Sequence, residues 1–82
     1  MLTVRYFAAA RAAAGVAEEK VLPEAAGTLD ALRATLVQAH GQPLEKLLSI
    51  ASFLVDGVSC RGAATVLPAD ATVDVLPPFA GG

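Results

Sequence analysis

Leu2, Val4 and Tyr6 alternate with Thr3, Arg5 and Phe7, the period of two that predicts a strand with one apolar face. The run AAARAAAG that follows is built from the best helix former and closes on Gly15, so it predicts a short helix stopped by glycine. EEKVLP, over 18–23, predicts a second, weaker strand that ends at proline. A longer helical pattern opens at Thr28, a good N-cap, with Asp30 in the first turn where the helix dipole favours negative charge. Leu29, Leu32 and Leu36 fall at i, i+3 and i+7, with Val37 beside them, and form one apolar stripe. Gly41 and then Pro43 stop this main helix.

PLEKLLSI predicts a turn or a one-turn helix, and FLVDGVSC a hairpin whose Asp56-Gly57 pair signals a type I′ turn. After a connector with a turn at 68–70, ATVDVL (71–76) predicts the last strand. There Val73 and Val75 alternate with Thr72, Asp74 and Leu76. The order is strand, small helix, strand, main helix, hairpin, strand. One amphipathic helix laid across a mixed sheet of four or five strands is an α+β roll. The β-grasp arrangement satisfies this order, with the first and last strands side by side in the sheet centre. Residues 1–76 would form that domain and residues 77–82 a flexible tail.

Composition changes this picture in three ways. A chain of 82 residues makes one domain, without room for a second core. Apolar residues make up 55% and charged residues 17%, so disorder is not expected. Eighteen of the apolar residues are alanine, and two readings of the surplus stand: an exposed apolar patch for a partner, or alanines on helix surfaces. The net charge of −2, with four Arg and two Lys scattered along the chain, leaves no basic footprint, so no nucleic acid is expected as a partner. No stretch approaches the roughly 20 apolar residues of a membrane span, and MLTVRYF has no leader-like pattern, so no membrane partner is expected. Cys60 is alone, which fits a reducing cytoplasm.

Self-contained catalysis is not visible. His40, the single histidine, falls at the end of the main helix, where interaction with the helix dipole explains it. Cys60 has no companion for a redox or zinc motif and reads as a core or half-buried thiol. Asp70 and Asp74 read as solvated turn and surface positions, and no phosphate-binding glycine loop is present.

The closing string VDVLPPFAGG carries the chemistry instead. Pro77 and Pro78 lack backbone N–H groups and hold φ near −65°, ending the ladder and forcing an extended exit. The six residues 77–82 reach about 20 Å when extended. Phe79 is a good anchor for a partner's pocket. Gly81 and Gly82 lack Cβ atoms, so a carboxylate at this end can enter a channel too narrow for any other residue. A terminal carboxyl, with a pKa of about 3.3–3.7, is ionised and a poor electrophile at neutral pH, so acyl chemistry here needs activation, for example as a mixed anhydride with a nucleotide.

With VRYFAAARAAAG, TLDALRATL and LPADATVDVLPPFAGG in place, the chain resembles the sulfur-carrier branch of the ubiquitin-like proteins, most closely the small-subunit family of molybdopterin synthase. The last string is the specific one, and its Pro-Pro is a feature that the thiamine-pathway carriers usually lack. EEKVLP is a departure, being a poor second strand. The resemblance implies that Gly82 is adenylated by an E1-like adenylyltransferase using ATP and then converted to a thiocarboxylate with sulfur from a donor protein. It implies that the tail enters the large subunit of a heterotetramer, where sulfur passes to a cyclic pyranopterin phosphate to form the dithiolene of the molybdenum cofactor. Gly81 would provide clearance. Phe7, Leu76, Pro77, Pro78, Phe79 and Ala80 would make the contacts with partners. No cofactor is expected on the chain alone. Other readings are a sulfur carrier for thiamine, cysteine or another pathway, a ubiquitin-like protein modifier, and a β-grasp interaction domain with an inert tail.

Overall fold

The computed structural model describes residues 1–60, 62 and 64–78. Its elements in chain order are β1 (Leu2–Tyr6), α1 (Ala9–Ala14), β2 (Glu18–Val21), a turn of 3-10 helix (Pro23–Ala25), α2 (Leu29–His40), α3 (Gln42–Leu48), β3 (Ser52–Val55), β4 (Val58–Cys60) and β5 (Thr72–Leu76). The five strands form one mixed sheet in the order β2-β1-β5-β3-β4. The first and last strands pair in parallel at its centre, with Thr3 opposite Thr72 and Tyr6 opposite Val75, while the other pairings are antiparallel. This is the β-grasp expected from the order of elements.

The core lies between one face of this sheet and the helices. Leu2, Val4, Tyr6, Phe53, Val73 and Val75 are buried from the sheet side. Leu29, Leu32 and Leu36 of α2 meet them, so the stripe at i, i+3 and i+7 lies on the sheet. Burying each such leucine contributes about 2 kcal/mol. Thr28 caps α2 as anticipated, its hydroxyl accepting the Ala31 N–H at 3.2 Å. Gly41, at φ 83°, ends the helix and donates its N–H to the Val37 carbonyl at 2.7 Å.

The short element after it is longer than the sequence suggested. α3 runs for seven residues rather than one turn, because Leu44 and Leu48, four apart on one helix face, both bury in the core. The second strand is shorter: β2 stops at Val21, Leu22 is exposed, and Pro23 opens the 3-10 turn. The hairpin matches its signal, with Asp56 at φ 50° and Gly57 at φ 83°, both positive as a type I′ turn requires. Asp56 also accepts the Thr72 N–H on its side chain at 2.8 Å, tying the hairpin to β5. Among the described residues no helix is long and apolar enough to cross a membrane.

Candidate functional site

Because β1 and β5 run parallel, their C-terminal ends emerge at the same edge of the sheet. One more ladder bond extends the pairing, from Phe7 N–H to the Val75 carbonyl at 3.2 Å, which sets Phe7 level with Leu76. Phe7 is 38% exposed and Leu76 half-buried. Pro77 is buried and belongs to the folded body, whereas Pro78 is exposed. The structure therefore brings Phe7, Leu76 and Pro78 to one end of the molecule. Phe79, Ala80, Gly81 and Gly82 lie outside the described residues.

Strand alternation decides what surrounds this exit. Val4, Tyr6, Val73 and Val75 point into the core, so Arg5, Phe7, Asp74 and Leu76 take the opposite sheet face, away from α2. Leu54, opposite Asp74 in the β3–β5 ladder, joins them and is half-buried. Sequence reasoning missed Leu54, although its place next to the inward Phe53 was the available signal. Asp74 is not the solvated surface residue that its sequence context predicts: only 9% of its side chain is exposed. Arg5 lies directly across from it and donates twice, Nε to Oδ1 at 2.6 Å and Nη2 to Oδ2 at 2.9 Å. Two charge-assisted bonds in fork geometry compensate the carboxylate's lost water. The same contact, first through the hydrogen bond and then through charge, holds the Arg5 pKa above its ordinary value. The guanidinium carbon also sits 5.7 Å from the Phe7 ring centre, within cation–π range. Asp70 is exposed as expected and pairs with the N-terminal amine at 3.1 Å.

A second polar cluster sits on the core face of β1 and β2. Tyr6 Oη donates to Glu19 Oε2 at 2.7 Å, and His40 Nε2 meets the same oxygen at 2.5 Å. His40 is the last residue of α2, where the dipole favours it, and Glu19 is a partner the sequence did not reveal. Burial, then the Glu19 hydrogen bond and charge, push the Tyr6 phenol far above its ordinary pKa of 10.0. Cys60 is a half-buried thiol at the end of β4, in a separate cleft with Arg33 and Phe53. Cys60 therefore does not pair with His40, and the described residues contain no cluster able to hold a metal ion. The chemistry this arrangement can support is presentation: a strand end ringed by apolar side chains, leading into PPFAGG.

Comparison with known proteins agrees with that shape. Residues 4–82 match the model of the ThiS family. No curated protein sequence matches the chain significantly. Among solved structures, the chain is similar to the small archaeal modifier protein SAMP1 of Haloferax volcanii, with a TM-score of 0.83 at 21% identity, covering 99% of this chain and 98% of that one. It is similar to the putative molybdopterin converting factor, subunit 1, of Pyrococcus furiosus, with a TM-score of 0.74 at 28% identity, covering 94% and 95%. SAMP1 of Methanosarcina acetivorans gives 0.77 at 23% identity, covering 99% and 95%. Matched along nearly its whole length and folded as a five-stranded β-grasp, the chain belongs to the ThiS family of ubiquitin-like proteins.

Proposed function

We propose that this chain is a sulfur carrier, the small subunit of a molybdopterin synthase, and that Gly82 bears sulfur as a thiocarboxylate for dithiolene formation. The observation that carries the reading is the parallel β1–β5 exit, which sets Phe7 and Leu76 together immediately before the PPFAGG string. Family membership and the 28% identity to the Pyrococcus furiosus converting-factor subunit support it.

The chemistry follows from the carboxylate. Ionised at neutral pH, it resists nucleophiles until its oxygen attacks the α-phosphate of ATP and releases pyrophosphate. The terminal sulfur of a donor protein's persulfide then attacks the acyl adenylate and displaces AMP, giving an acyl disulfide. A thiol attacks the donor's sulfur of that S–S bond, forms a disulfide with the donor and releases the Gly82 thiocarboxylate. These steps take place on an E1-like adenylyltransferase, since the chain carries no phosphate-binding glycine loop of its own. The charged tail would then enter the large subunit, with Phe7, Leu76 and Pro78 contacting that subunit at the tail's root. ATP dependence and an oxidation-sensitive thioacid fit a reducing cytoplasm.

The intact mass of the chain, co-expressed with its activating enzyme and sulfur source, tests this. A gain of roughly 16 Da on the C-terminal peptide, oxygen replaced by sulfur in an activated acyl group, is expected. An unchanged mass under charging conditions would overturn the carrier reading. A second reading, protein modification through Gly82, draws on the likeness to the archaeal modifier proteins, which at 21% and 23% identity speaks to the fold. Gly-Gly remnants on lysines of other proteins, without the sulfur mass, would favour it.

A further inference from the structure

The open sheet face presents an anomaly. Its centre, ringed by Phe7, Leu54 and Leu76, is occupied by an ion pair that is almost fully shielded on the acid side. Aspartate is disfavoured in strands, and a shielded ion pair is commonly no more stable than two apolar side chains of similar size. Fold stability therefore does not account for Arg5 and Asp74 at these positions. A guanidinium carries five N–H donors, and Asp74 engages two of them. Among the described residues the other three meet no acceptor, on a side chain that is 48% exposed. A partner that covers Phe7 and Leu76 also removes water from those donors.

From this we infer that Arg5, oriented by Asp74, is a specificity determinant of the partner surface, reading a carbonyl oxygen on the large subunit. The inference rests on the carrier reading above. The acceptor is a neutral carbonyl rather than a carboxylate because negative charge already surrounds Arg5. Asp74 flanks it on one side, and Glu18 lies opposite it in the β1–β2 ladder and adds to the raised Arg5 pKa. A third carboxylate would be repelled by both. A partner with an apolar face alone would leave three charged N–H groups dry, and so would be rejected. Asp74 is a positioning residue: its fork contact fixes the guanidinium and, through it, the Arg5–Phe7 cation–π contact.

The test uses the full chain and the purified large subunit, titrated calorimetrically, with Tm measured in parallel. In Arg5→Leu/Asp74→Leu the pair is replaced by two apolar side chains, so that no buried charge is stranded. The expected result is an unchanged or raised Tm together with an affinity loss of about tenfold or more, because the partner's carbonyl then meets leucine. Arg5→Lys keeps the charge but loses the fork; it is expected to weaken binding by about fivefold or more, and it decides the matter if the double variant does not fold. Equal or tighter binding by the double variant, or by Arg5→Lys alone where only that variant folds, overturns the inference while the carrier reading stands. Failure of the wild-type chain to bind the large subunit overturns the carrier reading, and the inference falls with it.

Discussion

His40, in the last turn of α2, and Glu19, in the edge strand β2, meet through Nε2 and Oε2 at 2.5 Å, 21 positions apart in the chain. With a carboxylate as partner, the ring nitrogen must carry the hydrogen. Tyr6 donates to the same oxygen, so one carboxylate joins the sheet edge, the central strand and the helix end.

This cluster predicts an alkaline limb in stability. The folded environment raises the Tyr6 pKa above its ordinary 10.0, mainly by burial. The contribution is therefore complete below that value and is lost as pH rises past it, because the unfolded chain can ionise the phenol and the folded chain resists. Tyr6 is the single tyrosine. Tyr6→Phe is expected to cost about 1 kcal/mol at neutral pH for the missing hydrogen bond, yet to lose less stability than the wild type between about pH 8 and about pH 11. Urea unfolding at the two pH values measures it; identical slopes in both proteins would refute it.

Ala8, which joins β1 to α1 beside the tail exit, has φ 51° and ψ −123°, a conformation that suits glycine. Strain of this kind costs about 1–3 kcal/mol, against an entropic penalty for glycine of about 0.5–1 kcal/mol. Ala8→Gly is therefore expected to stabilise the fold by about 1 kcal/mol in denaturant titration, contrary to the usual cost of glycine. A loss would show the residue to be unstrained.

Core and tail substitutions are expected to separate cleanly. Leu36→Ala, at a position 1% exposed, should cost about 3 kcal/mol in urea unfolding. Gly82→Ala should leave Tm unchanged while slowing sulfur transfer about a hundredfold, since a Cβ at the reacting end displaces the thioacid by about 1 Å. A lower Tm for Gly82→Ala would mean that the tail is structural.

At the strand end, Phe7→Ala is expected to weaken binding to the large subunit by about tenfold with little change in Tm, as truncation of an exposed aromatic anchor does. Leu76→Ala should do the same with a modest drop in Tm, because Leu76 is half-buried. Affinities that do not move would place the partner elsewhere.

The parts legible in the sequence are those specified by neighbours along the chain. Thr28 caps α2 because its hydroxyl needs to reach only Ala31. Asp56-Gly57 makes its turn because two adjacent residues accept positive φ. The leucine stripe of α2 and the alternation of β1 are periodicities of single elements, and both bury as they read. α3 is longer than its sequence predicts because its second turn is held by the burial of Leu44 and Leu48, a tertiary gain that propensity does not record.

What the sequence by itself determined is the set of elements, their inward faces and the chemistry of PPFAGG, since helix caps, turn geometry and side-chain alternation act over a few residues. The tertiary structure alone decided which elements became neighbours and in what register. Parallel pairing of β1 with β5 closes a loop across most of the chain, and its register is set by packing of Val4 and Tyr6 with Val73 and Val75 against α2. That register moved Asp74 from an apparent surface position to the fork of Arg5, 69 positions away, and the packing of α2 on the sheet brought His40 to Glu19. Neither contact has a local signature, because an ion pair or hydrogen bond between distant residues exists only once burial has fixed both backbones.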